Sequence, residues 1–508
     1  MVKMTTIPQI LFSQAQSRPK ALAIQDGNWQ LNYDELAAQV KLVAGKLHYM
    51  GLVAGDRFGI WAPNCAEWII FALAGQSLGA VLVTLNTRYK GGEAADILRR
   101  AKCKFLFTVQ GFLNHDYASM LADHYLPSLI ETVIVKSGDG QSAYDDFLNR
   151  AGEPLKESQA RSEDICDIIF TSGTTGAPKG AMTSHDQNIR VFESFTQAIG
   201  MTQKDRYLIV NPFFHSFGYK AGWLSCLIRG AAIYPLSMFE PRSILEQIER
   251  DKITVMPGAP TIFQTLLDYP DLKDFDISSL RVATTGATTI PVDLIRRMHK
   301  DLGIDNVYSA YGLTESTGVV SLCRKGDDFK TIATTCGRPL PGTELRMVDN
   351  HGNDVTKGQD GEIWVRGFNV MQGYLDDPVA SAETITSDGW LKTGDIGRQD
   401  SRGYIQVTDR KKDMVIVGGF NVYPAEVEKI LLQHPQINDV AITAQSDARL
   451  GEVTHAHIVA SEGSLNPEAV IEWSRKQMAN YKVPRHISFH KILPRNASGK
   501  VQKFMLKT

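Results

Sequence analysis

The 508-residue chain lacks any strong imbalance of charge, since 54 Lys and Arg stand against 56 Asp and Glu for a formal net charge of −2. Neutralising a nucleic-acid backbone demands a basic excess, so a polynucleotide is excluded as the main partner. Cysteine is scarce: the six residues Cys65, Cys103, Cys166, Cys226, Cys323 and Cys336 show no paired metal-binding spacing. That fits reduced thiols in a cytosolic protein, none of them an evident nucleophile. Long uninterrupted hydrophobic runs are missing too. The greasiest stretch, Trp68 to Leu85, is broken by Gly75, Gln76, Ser77 and Gly79. It predicts a buried helix ending near Gly79 and then a core strand at Val81-Leu82-Val83, with no integral membrane segment. The opening residues, Met1 to Pro8, have no long apolar core of the kind a secretory signal needs, and a cytoplasmic location is the expectation. No repeat or low-complexity tract is visible.

What is present is alternation. Apolar strand-like runs at Phe58-Gly59-Ile60-Trp61, Phe105-Leu106-Phe107, Thr132-Val133-Ile134-Val135, Tyr207-Leu208-Ile209-Val210 and Ile253-Thr254-Val255-Met256 are separated by helical patterns. This predicts an α/β fold with largely parallel, layered sheets. From about Thr334 to Val407 the texture changes to short strands and Gly/Asp/Asn turns, as at Leu345-Arg346-Met347-Val348 and Glu362-Ile363-Trp364-Val365, which predicts a small β subdomain. A charged crossing, Arg410-Lys411-Lys412-Asp413, then precedes a compact α+β module. From Trp473 to the end there is no Asp or Glu among many Lys and Arg, a basic surface suited to a polyanion such as ATP or the phosphates of coenzyme A.

The most informative stretch is Asp167-Ile168-Ile169-Phe170-Thr171-Ser172-Gly173-Thr174-Thr175-Gly176-Ala177-Pro178-Lys179-Gly180. An apolar strand runs into a loop of small residues, and a helix can start near Ser184. Glycine permits close backbone approach to an anion, successive backbone N–H groups form an anion nest, and Thr171, Ser172, Thr174 and Thr175 add hydroxyls while Lys179 adds charge. A P-loop would need glycine before the lysine and Ser or Thr after it, whereas Pro178 and Gly180 occupy those places. A loop that grips the phosphates of ATP is the better reading than a chance surface linker.

This loop resembles the signature of the adenylate-forming superfamily, which includes acyl-CoA synthetases, luciferases and peptide-synthetase adenylation domains. The resemblance extends from Leu31-Asn32-Tyr33-Asp34-Glu35-Leu36 to Asn496-Ala497-Ser498-Gly499-Lys500, nearly the whole chain. It implies a large N-terminal domain over residues 1–409, which includes the β subdomain, and a small mobile C-terminal domain over 410–508 hinged near Lys412. The implied chemistry joins a carboxylic acid to AMP and then to a thiol, with ATP and coenzyme A as cosubstrates and Mg2+ as cofactor.

Residue by residue, the resemblance implies that Thr171, Ser172, Gly173, Thr174, Thr175, Gly176 and Lys179 hold phosphate. In Tyr308-Ser309-Ala310-Tyr311-Gly312-Leu313-Thr314-Glu315 it implies that Tyr311 stacks on adenine beside Gly312, Thr314 binds phosphate and Glu315 holds magnesium. Gly286 and Ala287 would adjoin adenine and the acyl site, with Thr285 in place of a family glycine making that wall bulkier and more polar. Asp395 matches the ribose-binding aspartate and Arg410 its companion. Lys500 matches the lysine that stabilises charge during adenylation. Gly418, Gly419 and Phe420 match the loop that completes the thioester site after rotation about Lys412.

The acid pocket is expected from Asn211-Pro212-Phe213-Phe214-His215-Ser216-Phe217-Gly218, where the family histidine borders and gates the acyl site, and from Gly258-Ala259-Pro260-Thr261-Ile262-Phe263. Tyr219 is expected to begin a helix against the pocket, and Lys220 is weighed equally as a partner for a polar group of the substrate and as a solvated helix lysine. No buried acid is placed to grip an α-ammonium group. Phe217 to Gly222, Thr285 to Thr288 and Ala333 to Pro339 resemble bacterial acyl-CoA ligases of steroid breakdown, which implies a fatty or bulky alicyclic acid such as an indanedione propanoate. The alternative is a stand-alone adenylating enzyme that loads a carrier-protein phosphopantetheine thiol. Homodimer formation is left open.

Overall fold

The structure, a computed structural model, describes residues 5–136, 142–171, 178–286, 290–410, 413–417, 420–447, 450–461, 465–478, 480–495 and 501–506. The chain packs as two compact units, one formed by 1–344 and 365–391 and the other by 345–364 and 392–508.

The larger unit is built on two sheets. Among the described residues, a nine-stranded sheet has five parallel pairings through its middle, joining Leu22–Asp26, Ala232–Pro235, Arg206–Ile209, Val255–Pro257, Val282–Gly286 and Asn306–Tyr311 in that order. A seven-stranded sheet places Ile165–Thr171 between Lys179–Ser184, which is antiparallel to it, and Val81–Thr84, which is parallel. Helix crossovers between parallel strands follow from the alternation read in the sequence. The helix Ala66–Ser77 is buried along its whole length, and Val81–Thr84 follows it as the expected strand. Each fully buried Leu, Ile or Phe on such a helix contributes about 1.5–3 kcal/mol. Among the described residues no helix is long and apolar enough to cross a membrane.

Local signals set the helix starts. Asn32 accepts from the Glu35 amide at 2.9 Å, and Glu35 accepts in return from the Asn32 amide at 2.8 Å, closing a capping box on Tyr33–Tyr49. Ser184 and Gln187 close the same device on His185–Ala198. The helix thus starts at Ser184 as expected. Ahead of it lies a strand not foreseen from the sequence, Lys179–Ser184, paired back onto Ile165–Thr171 with Thr171 opposite Lys179 as a hairpin.

In the smaller unit a sheet of Phe420–Val422, Val415–Val417, Gly451–Ala460 and Ile437–Asp447, with His486–Phe489 beside Gly451–Ala460, packs around Val415, Val422, Val427, Leu431, Ile442 and Ile458. Asp409, at the end of Ile405–Arg410, accepts from the Ala425 amide at 2.9 Å, so a carboxylate meets the N-terminus of the helix Pro424–Leu431. That contact helps explain why packing groups 345–364 and 392–409 with the tail, a different division from the sequence-based boundary at 409.

This sheet also gathers histidines. His455 and His457 stack with ring centroids 4.1 Å apart, and His457 bonds Thr443 through Nε2 at 3.0 Å and His490 through Nδ1 at 3.1 Å. Burial, and then the neighbouring imidazoles, push His457 down to about 4. An unfolded histidine titrates near about 6.5, so between these values only the unfolded chain takes up the proton. This group's contribution is complete above the unfolded value and drains away as pH falls toward 4. Urea denaturation of the full chain, followed by circular dichroism, is expected to show a midpoint that falls more steeply from pH 7 to pH 4.5 in the parent than in His457→Gln. Parallel slopes would contradict it.

Candidate active site

The hairpin Ile165–Thr171/Lys179–Ser184 carries the base of the loop expected to grip phosphate; Ser172, Gly173, Thr174, Thr175 and Gly176 lie outside the described residues. Thr171 donates to Glu315 Oε1 at 3.1 Å. Tyr374 donates its hydroxyl to the same oxygen at 3.0 Å, and Lys179 Nζ stands 5.3 Å from the centre of the Tyr374 ring. Burial, and then the Glu315 charge, hold the Tyr374 phenol well above its ordinary value, which keeps it a donor. At the far side of the loop, Arg100 donates to the Pro178 carbonyl at 2.6 Å. Two cations and one carboxylate thus frame the base of the loop, an arrangement suited to a polyphosphate carrying a divalent cation.

Glu315 is delivered by the strand Asn306–Tyr311 and a tight return. A Cβ on Gly312 would lie 2.2 Å from the Gly318 carbonyl oxygen, so only glycine lets the chain double back there. Thr314 is buried in the short turn Thr314–Ser316, and the Glu315 carbonyl accepts from the Met371 amide at 2.9 Å. Tyr311 is half-buried at the end of its strand. Gly286 is registered opposite Ala310 on the neighbouring strand, while Ala287 is outside the described residues. Thr285 is buried, and its hydroxyl has no hydrogen-bond partner among the described residues.

The segment around His215 is shaped from elsewhere. Asn64, itself buried, accepts from the Phe213 amide at 2.7 Å and donates to the Asn211 carbonyl at 2.9 Å. Thr84 donates to the Phe214 carbonyl at 2.8 Å. A Cβ on Gly218 would lie 2.2 Å from the carbonyl oxygens of both Asn211 and Pro212, which makes this turn glycine-dependent as well. His215 accepts from the Phe217 amide at 3.2 Å through Nδ1. Its side chain is open to solvent, yet surrounding protein holds the imidazole below its ordinary value. Gly258 follows Val255–Pro257 and donates its amide to the Thr284 carbonyl at 2.9 Å.

Two expected pocket residues turn inward. Tyr219 is fully buried, accepts from Gln76 at 2.9 Å and stacks on Trp223 at 4.7 Å. Lys220 is also fully buried and pairs with Asp167 at 2.9 Å, so its ammonium is neither solvated nor free to meet a substrate group. The expected helix at Tyr219 is a π-turn, Tyr219–Leu224, distorted at Gly222.

In the smaller unit, Asp395 is buried in the strand Leu391–Gln399, opposite Arg410 of Ile405–Arg410. Lys412, Gly418, Gly419 and Lys500 lie outside the described residues, and Phe420 opens the strand Phe420–Val422. The stem of the Lys500 segment is described: Arg495 and Val501 form a bridge, Arg495 pairs with Asp439 at 2.6 Å, and Lys503 pairs with Glu428 at 2.7 Å. Tyr374, Asn64 and Arg100 escaped the sequence reading because none stands in a motif. The only available signal was Gly373-Tyr374 ending a turn-rich stretch.

A family model described as "AMP-binding enzyme" matches residues 11–375, and one for "AMP-binding enzyme C-terminal domain" matches residues 426–500. The chain belongs to the AMP-binding enzyme family. This AMP-binding enzyme is 46% identical over 508 residues to a Mycobacterium tuberculosis protein named "3-[(3aS,4S,7aS)-7a-methyl-1,5-dioxo-octahydro-1H-inden-4-yl]propanoyl:CoA ligase", covering 99% of this chain and 98% of the relative. It is 44% identical over 517 residues to the protein of the same name from Rhodococcus jostii, again covering 99% and 98%. Among solved structures, ATP-bound MatB from Rhodopseudomonas palustris superposes with a TM-score of 0.89 at 30% identity, covering 99% of this chain and 98% of that one. The o-succinylbenzoate CoA synthetase of Bacillus subtilis, in complex with its acyl-adenylate, gives 0.87 at 28% identity and covers 99% of both chains.

Glu315→Gln is expected to lower acid-dependent pyrophosphate release about a hundredfold or more, in the range for losing a preorganised electrostatic partner. Tyr374→Phe removes one bond to a charged group and should fall between that variant and the parent. Pyrophosphate release at saturating ATP measures both, and an unimpaired Glu315→Gln would remove the carboxylate from the site.

Proposed function

We propose that this AMP-binding enzyme is an acid–thiol ligase that converts a bulky alicyclic propanoic acid, ATP and coenzyme A into the acyl-CoA, AMP and diphosphate. The observation that carries the substrate assignment is identity of 44–46% across 99% of the chain to ligases named for the indanedione propanoate. A cytoplasmic location accords with this reading.

The mechanism follows from the difficulty of expelling oxide from a carboxylate. In the first half-reaction the carboxylate oxygen attacks the α-phosphate and diphosphate leaves, giving an acyl-adenylate. In the second, the coenzyme A sulfur attacks the acyl carbon and AMP leaves. Thr171, Ser172, Gly173, Thr174, Thr175, Gly176 and Lys179 hold the phosphates through hydroxyls, amides and charge. Tyr311 stacks on adenine with Gly286, Ala287 and Gly312 close by, Thr314 contacts phosphate, and Asp395, with Arg410, takes the ribose hydroxyls.

Glu315 with the Thr171 hydroxyl is a hard oxygen donor set. Among the described residues no cluster of three or more His, Cys, Asp or Glu is present to cage a metal. That suits Mg2+, which is commonly held by one or two carboxylates together with substrate phosphates. Bound there, the ion would neutralise phosphate charge.

His215, Gly258 and Thr285 border the acid. Lys500 stabilises the charge that builds as the acid meets the α-phosphate. Rotation about Lys412 then exchanges Lys500 for the loop of Gly418, Gly419 and Phe420.

Lys500→Ala is expected to reduce acyl-adenylate formation by about a hundredfold or more while sparing the reaction of preformed acyl-adenylate with coenzyme A. Equal losses in both half-reactions would contradict the assignment. A panel of linear fatty, aryl and steroid-derived propanoic acids, assayed for AMP release with coenzyme A or a carrier protein as acceptor, should favour the bicyclic propanoate with coenzyme A. Preference for short aryl acids would overturn the substrate class, and preference for the carrier would overturn the acceptor.

A further inference from the structure

Lys220 and Asp167 are a charged pair sealed inside the larger unit, each side chain with no exposure to solvent. Each is an isolated charge in an apolar run, Phe217 to Leu224 for the lysine and Ile165 to Phe170 for the aspartate. The surrounding polar groups close on them. Thr183 donates to Asp167 Oδ1 at 2.6 Å and accepts from Lys220 Nζ at 2.8 Å, while Asn188 donates to Asp167 Oδ2 at 2.9 Å. Gln76 spans the same two segments, donating to the Tyr219 hydroxyl at 2.9 Å and the Cys166 carbonyl at 3.2 Å.

Stability alone is a weak account of such a pair, because desolvating two charges offsets much of their attraction and a well-packed apolar replacement is often as stable. Direction is the better account. Asp167 and Thr183 occupy the two strands of the hairpin whose tip carries the phosphate-gripping loop, and Thr171, on the same strand as Asp167, reaches Glu315. Lys220 lies in the π-turn Tyr219–Leu224, which follows directly on the turn containing His215. π-Bulges recur at functional sites because the extra residue re-aims the chain. Beside the Gln76 and Tyr207 contacts to this turn, Lys220 gives it a charged anchor on the hairpin.

We propose that Lys220, through Asp167 and Thr183, is a positioning residue that sets the His215 segment against the phosphate-gripping hairpin and so fixes where the acid is held relative to the α-phosphate. The inference rests on the acid-adenylating reading above. It assigns a part in acid selectivity to three residues that touch neither substrate.

The test is the double variant Asp167→Asn/Lys220→Met, which removes both charges together, with Thr183→Val as a near-isosteric variant that cuts the bridging hydroxyl and leaves the charges in place. Acid-dependent pyrophosphate release would be measured for the bicyclic propanoate and for a linear acid of equal carbon number, with thermal unfolding recorded alongside. The double variant should stay folded, keep its KM for ATP within about twofold, and lose about tenfold or more in kcat/KM for the preferred acid, since misplacements near one ångström cost up to about a hundredfold. Preference between the two acids should shrink by a similar factor, and Thr183→Val should shift it in the same direction by less. A folded double variant with parental selectivity would overturn the proposal. If the double variant does not fold, parental selectivity in Thr183→Val overturns it. A parent chain that adenylates no acid would instead strike the proposed reaction, so the two failures are distinguishable.

Discussion

A single carboxylate oxygen ties the hairpin Ile165–Thr171/Lys179–Ser184 to the segment around Tyr374. Glu315 Oε1 receives hydroxyls from Thr171 and Tyr374, and the backbone carbonyl of the same residue receives the Met371 amide. Two segments distant in sequence, one at Thr171 and one at Met371 to Tyr374, thereby converge on one residue. A hydrogen bond to a charged acceptor contributes about 1.5–3 kcal/mol, roughly twice a neutral one, so the convergence is energetically meaningful without being rigid. Two neutral donors leave most of the negative charge available. A second carboxylate would raise charge density but repel the phosphates, and a lysine in place of either hydroxyl would neutralise Glu315.

Backbone geometry decides how that residue arrives. At Gly312 and Gly218 any side chain would collide with carbonyl oxygens, so both returns depend on glycine for close approach. One return delivers Glu315 and the other shapes the chain after His215. Glu315 and His215, the residues assigned roles in the proposed reaction, thus sit at turns whose shape depends on glycines. Asn64 serves the same purpose for the His215 segment, its amide bonding both the Phe213 amide and the Asn211 carbonyl.

Much of this was readable in advance because the signals are local. The strand at Ile168 to Phe170, the buried helix before Gly79, and the helix start near Ser184 each depend on neighbouring residues, so the local order of the sequence carries them. The strand Lys179–Ser184 was not readable: Gly180 and Ala181 are poor strand formers, and their conformation is imposed by pairing with Phe170 and Ile169. Tyr374 and Asn64 were invisible for a related reason, since their partners lie 59 and 149 residues away. Lys220 was misplaced because a cation amid aromatics reads equally as a substrate contact. The overlooked clue was its counterpart, Asp167, an equally solitary anion in an otherwise apolar strand.

That pairing of solitary charges bears on how a chain of this kind tunes acid preference. Removing either partner alone would strand a buried charge at a cost of about 3–5 kcal/mol, a large part of the roughly 5–15 kcal/mol by which domains are stable. Removing both is far cheaper. The pair is therefore hard to lose by single substitutions even if its net stabilisation is small, and it persists once formed. On the reading proposed above, such a device suits a fixed spacing between two segments: the hairpin would grip a triphosphate common to every acid, while the π-turn would be the place where one acid is distinguished from another. Coupling them through the Thr183 hydrogen bonds instead of apolar packing alone would give the π-turn a defined direction, because hydrogen bonds are angle-dependent and dispersion contacts are not.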